Sequence, residues 1–144
     1  MQQVFSILIS FGLSIVVWAG ETISEGQLAK GTKWETPFYV RVNGQDGPTV
    51  VITGGIHGNE PAGARAAEQI RHWPITCGRL VVIPQANIPG LRDGTRFLPG
   101  EPPSRRDLNR QFPKTKMAAE AHGVLGKALW KFIGDQNPDW MIDL

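Results

Sequence analysis

The sequence predicts an α/β protein on a mostly parallel or mixed sheet, and three stretches carry that prediction. Thr49–Thr53 and residues 79–84 (Arg-Leu-Val-Val-Ile-Pro) are short apolar runs rich in β-branched residues. That pattern suits strands covered on both faces. Between them, residues 61–73 bring Ala64, Ala67, Ile70 and Trp73 near one helical face. Strand, helix, strand in this order is a β-α-β unit, normally a right-handed parallel crossover. In such sheets ligands gather beyond the carboxyl ends of the strands.

Taken in order, the chain opens on an apolar run at residues 4–17, followed by small residues at Val17 and Ala19 and the polar Glu21. About fourteen apolar residues are too few to span a bilayer comfortably. Residues 1–19 are therefore expected to be a cleaved export signal, although Met1-Gln2-Gln3 lacks the usual basic residue. An uncleaved anchor and a buried segment are the alternatives. A cleaved signal implies a periplasmic or secreted protein with no stable membrane span.

Residues 20–48 are expected to form a lead-in segment and a first strand. Residues 21–34 are polar and aperiodic, whereas Phe38 to Val42 alternate loosely and meet the Asn43-Gly44 turn signal. After the β-α-β unit, residues 86–114 are rich in Gly, Pro and Arg without periodicity, which predicts a long functional loop. A helical stripe then runs through Met117, Ala118, Ala121, Val124, Leu125, Ala128, Leu129 and Phe132, best explained by core packing. Asn137-Pro138 ends it, and residues 139–144 begin another strand of the buried type.

The bulk properties restrict function rather than assign it. A chain of 144 residues suits one domain, and a net charge of +2 gives no argument for a nucleic-acid partner. The lone Cys77 cannot form an intrachain disulfide and is expected to be a small buried hydrophobe. His72 and His122 fall on helix patterns and are expected at the surface or in helix packing.

The chemistry concentrates after the first buried strand, in Gly54-Gly55-Ile56-His57-Gly58-Asn59-Glu60-Pro61. His57 and Glu60 are three apart, so on a helical turn both side chains point the same way. An imidazole nitrogen and a carboxylate are two of the three protein ligands of a typical catalytic zinc site. By itself H-x-x-E is a weak motif, common by chance. A second stretch, Asp107-Leu108-Asn109-Arg110-Gln111-Phe112-Pro113, combines an Arg fork matched to a carboxylate with a neighbouring Asn donor. Taken without the His-Glu pair, it reads as a solvated polar loop.

These two stretches, with Trp140-Met141-Ile142-Asp143-Leu144, stand in an order and spacing that resemble the succinylglutamate desuccinylase/aspartoacylase family of the zinc carboxypeptidase-like superfamily. The resemblance runs from about Thr49 to Leu144, also taking in residues 79–84 and Gly94-Thr95-Arg96-Phe97. It implies a zinc carboxypeptidase-like three-layer fold, with residues 49–144 as the N-terminal part of the catalytic domain. It implies one Zn2+ per intact site, with His57 and Glu60 as ligands, and a small carboxylate-bearing substrate whose carboxylate meets Asn109 and Arg110. Asp107 would orient its neighbours, and Arg96 would polarise the scissile carbonyl, with Arg105 or Arg106 as substitutes.

In the family a third ligand, a histidine, follows the Asp-Leu that ends the strand, and a general-base glutamate lies further on. Here that pair is Asp143-Leu144, so the expectation is a truncated domain, inactive as it stands. The implied activity of intact relatives is hydrolysis of an amide bond in a small acylated amino acid. An exported carboxypeptidase that trims peptides and a non-catalytic fragment or binding module are the other readings.

Overall fold

The structure, a computed structural model, describes residues 4–9, 13–18, 20–114 and 120–144. Strands β1 (Val4–Ile9) and β2 (Leu13–Trp18) pair antiparallel in a two-stranded sheet of their own. The expected export signal falls on this hairpin and, at residues 1–3, 10–12 and 19, outside the described residues.

Five strands form the main sheet: β3 (Thr22–Leu28), β4 (Thr36–Val42), β5 (Thr49–Thr53), β6 (Arg79–Ile83) and β7 (Trp140–Asp143). Their spatial order is β3-β4-β6-β5-β7. The β3–β4 and β4–β6 pairs are antiparallel, whereas β5 lies parallel to both β6 and β7, so the sheet is mixed. Helix α1 (Pro61–Ile70) makes the crossover from β5 to β6.

Alternation along β5 and β6 sorts the core into two layers. Ile52, Leu80 and Val82 face α1 and pack with the fully buried Ala67 and the flanking Ile70. Val51 and Val81, with Val40 of β4, face the other way, against Phe132 and Ile133 of helix α3 (Val124–Asp135). The ring of Phe132 sits 4.3 Å from that of Phe38 on β4, tying α3 to the sheet. Leu125 and Leu129 of α3 are 1% and 0% exposed, and each such side chain gains about 1.5–3 kcal/mol by leaving water. Helix, sheet and helix make the three layers that the resemblance implied.

Several expectations need correction. The lead-in at residues 21–34 contains β3, a polar strand on the sheet edge, whose side chains are too exposed to show apolar alternation. The helix expected over residues 61–73 stops at Ile70, leaving Trp73 outside it and 59% exposed. The loop at residues 86–114 holds α2 (Ile88–Asp93) and a 3-10 turn at Leu108–Arg110, both shorter than any periodic signal. The second helical stripe is helical only from Val124; Ala121 is buried ahead of the helix, and Met117 and Ala118 lie outside the described residues. Residues 140–143 do form a strand, but an exposed one on the sheet edge rather than a buried one.

Candidate metal centre

The turn after β5 is braced from below before it presents any side chain. The Gly54 N–H donates to the Ile83 carbonyl at 3.0 Å, and the Ala86 and Asn87 N–H groups donate back to Gly54 and Gly55 at 2.9 and 3.0 Å. Gly55 has φ +71°, the left-handed conformation that side chains disfavour. Gly58 lies so close to α2 that a Cβ there would overlap the Gly90 carbonyl. Asn87, fully buried, caps α2 by accepting from the Gly90 N–H at 3.0 Å and reaches the Ile56 carbonyl with its amide at 3.4 Å.

His57 and Glu60 sit in this turn rather than on a helix; the Glu60 N–H donates to the His57 carbonyl at 3.1 Å, and Glu60 is the N-cap residue of α1. Their side chains nevertheless converge. His57 Nδ1 lies 3.2 Å from Glu60 Oε2, and Nε2 lies 3.2 Å from Asp107 Oδ1. His57 is 8% exposed, while the Glu60 side chain stands mostly in solvent.

This geometry constrains protons. An ionised carboxylate only accepts, so the Asp107 contact calls for a proton on Nε2. The Glu60 contact asks the same of Nδ1, and a neutral ring carries only one proton. A second imidazole proton or a cation is needed to reconcile the two. The donor set therefore fits zinc as far as it goes, with one nitrogen, one carboxylate and an acid holding the far side of the ring. Among the described residues, no group of three or more His, Cys, Asp or Glu side chains suited to holding a metal ion is present.

Arg96, just past α2, forms a close ion pair with Glu60 Oε1. The His57 contact does most to hold the Glu60 carboxyl below its ordinary range; partial desolvation opposes this, and Arg96 adds to the lowering. Asp107 heads the 3-10 turn and also accepts from the Asn109 N–H at 3.1 Å, so one carboxylate touches both the His57 ring and the loop backbone. Asn109 and Arg110 are exposed, with Arg110 Nη1 3.3 Å from the Asn109 carbonyl. Asn109 lines a cavity of about 200 Å3, together with Thr53, Ile56, Phe112 and Trp130.

The remaining candidates fall elsewhere. The Arg106 guanidinium lies 4.3 Å over the Phe97 ring, and the Arg105 carbonyl accepts from Gln111 Nε2 at 2.6 Å. His72 is exposed beside Glu68 at 3.7 Å, and His122 is exposed. Cys77 is half-buried rather than buried. Sequence reasoning missed Asn87, although an Asn two residues before Pro89 is a helix-start signal. It also missed the 2.6 Å hydrogen bond from Thr53 Oγ1 to Asp143 Oδ1, which closes the carboxyl ends of β5 and β7.

Comparison with known proteins places the chain in a family. The model of the succinylglutamate desuccinylase/aspartoacylase catalytic domain matches residues 46–144, more than half of the chain. An N-α-acetyl-L-2,4-diaminobutyric acid deacetylase from Halomonas elongata is 34% identical over 71 residues, covering 47% of this chain and 20% of that protein. A crystal structure of an aspartoacylase family protein from Mesorhizobium loti superposes with a TM-score of 0.66 at 23% identity, over 100% of this chain and 44% of that one. A succinylglutamate desuccinylase/aspartoacylase structure from Rhodobacter sphaeroides gives 0.63 at 26% identity, over 86% of this chain and 39% of that one. The chain thus spans less than half the length of these relatives, and its overlap is with their N-terminal part. The chain belongs to the succinylglutamate desuccinylase/aspartoacylase family.

Proposed function

We propose that residues 49–144 form one side of the catalytic centre of a zinc-dependent hydrolase that cleaves amide bonds in small acylated amino acids. The observation that carries this reading is the His57 ring held between Asp107 and Glu60, with a carboxylate at each ring nitrogen. His57 Nδ1 and Glu60 would hold the metal. When bound, zinc supplies a Lewis acid and lowers the pKa of a water molecule. Asp107 keeps the proton on Nε2 and fixes the plane of the ring. Asn109 and Arg110 would hold the substrate carboxylate through a planar, two-pronged contact. Arg96, already at the Glu60 carboxylate, would donate to the acyl carbonyl oxygen as negative charge develops there.

The test is calorimetric titration of the chain with Zn2+, beside His57→Ala and Asp107→Asn. His57→Ala should remove saturable binding, and Asp107→Asn should weaken it by about 10–100-fold. Wild type binding no better than His57→Ala would sink the reading.

The apolar residues 4–17 support export, and we place the mature protein in the periplasm or outside the cell. N-terminal mass spectrometry on the expressed protein tests this. A chain beginning near residue 20 is expected, and an intact residue 1 on cytosolic protein would overturn it.

A further inference from the structure

A second cavity, of about 350 Å3, opens between α1 and α2. None of His57, Glu60, Asn109 and Arg110 lines it, so it is separate from the candidate metal centre. Its apolar wall comes from Pro61 and Ala64 on α1 and from Ile88 and Leu91 on α2. Ala64 brings only a methyl group to the α1 side, which leaves room between the two helices. The volume lies in the range of small-molecule sites, which are mostly apolar with a few placed polar groups.

Charge decides what the polar groups of this cavity suit. Arg65, Glu68, Gln85 and Arg92 complete its lining. Glu68 Oε1 accepts from Arg71 Nε at 2.7 Å and lies 3.7 Å from His72 Nε2. Arg92 donates to Asp93 through Nε at 2.8 Å and Nη2 at 3.4 Å, which leaves its Nη1 edge for another acceptor. Glu60, next to Pro61 in the chain, is paired with Arg96. Glu60, Glu68 and Asp93 thus each have an arginine of their own. Arg65 is exposed and has no acidic partner among the described residues.

One surplus guanidinium beside an apolar wall matches a monoanion with an apolar body. The planar fork of N–H donors fits a carboxylate. A phosphate monoester would bring a second charge with nothing to match it. We propose that the cavity between α1 and α2 binds small apolar monocarboxylates, held by Arg65 with Arg92 Nη1 as a second donor. The site is distinct from the carboxylate contact assigned to Asn109 and Arg110, and it needs no metal.

The experiment titrates the full 15N-labelled chain, without added metal, with 3-phenylpropanoate and follows the backbone amide shifts. Saturable shifts clustered at residues 62–68 and 85–92 are expected. The uncharged 3-phenylpropanamide, which keeps the same apolar body, should bind about tenfold more weakly or worse, because it lacks the charged hydrogen bond. Arg65→Gln should weaken binding of the acid by about the same factor, while Arg110→Gln should leave it unchanged. The comparison of acid with amide needs no variant, so it stands whatever Arg65→Gln does to folding. Shifts centred on Asn109 and Arg110 that vanish in Arg110→Gln would overturn the proposal. So would equal binding of acid and amide, tighter binding of phenyl phosphate, or shifts that do not saturate.

Discussion

At the scale of single residues, Glu60 is the most constrained carboxylate in the candidate centre, since both of its oxygens are engaged. His57 holds Oε2 and Arg96 holds Oε1, and together they keep its carboxyl below the ordinary value of 4.5. A carboxyl whose pKa is lower in the folded than in the unfolded state adds stability above its unfolded value. That contribution fades as pH falls through the lowered value, so it is lost only in acid below about 4.5. Arg96→Gln should move the Glu60 titration midpoint upward without restoring it fully, because the His57 contact is the larger cause. Carbon-detected NMR titration of the side-chain carboxyls reads this directly, and an unmoved midpoint would show that Arg96 does not act on Glu60 in solution.

At the scale of elements, Asn87 decides whether the His57 turn keeps its place. It joins the N-terminus of α2 to the Ile56 backbone, fully buried and with both ends of its amide engaged. Asn87→Ala would leave the Gly90 donor and the Ile56 carbonyl without that partner, at a cost of about 1–3 kcal/mol. Urea unfolding should register the loss, and a change below about 0.5 kcal/mol would match an ordinary surface site instead. The elements readable from sequence were those whose own residues settle the matter. β5 and β6 fall where the β-branched runs are, because strands covered on both faces carry their signal in every residue. β3 was illegible because an exposed edge strand held by backbone pairing leaves no apolar pattern. α2 was hidden by its length of six residues, with Pro and Gly inside it. β7 was legible as a strand but not as an exposed one, since apolarity does not say what lies beside it. In the site, the His57–Glu60 approach was expected from helical spacing but arises in a non-helical turn, whereas the His57–Asp107 contact spans fifty positions and depends on where the 3-10 turn docks.

For the whole molecule, strand order decides what the centre can accomplish. β5, which leads into His57, is flanked by β6 on one side and by the edge strand β7 on the other. On the β6 side the backbone at Ile83, Ala86 and Asn87 braces the turn, while the Asp107 loop holds the ring. On the β7 side the described chain offers Asp143, but its Oδ1 is taken by Thr53. Two converging donors hold a metal far less tightly than three, because ligand count and geometry set affinity. The 144-residue chain on its own should therefore bind Zn2+ weakly and give no amide hydrolysis above background, even with excess metal. Assaying a panel of N-acyl amino acids with and without Zn2+, with His57→Ala as the blank, checks this. Turnover that depends on both the metal and His57 would mean that donors within these residues complete the centre.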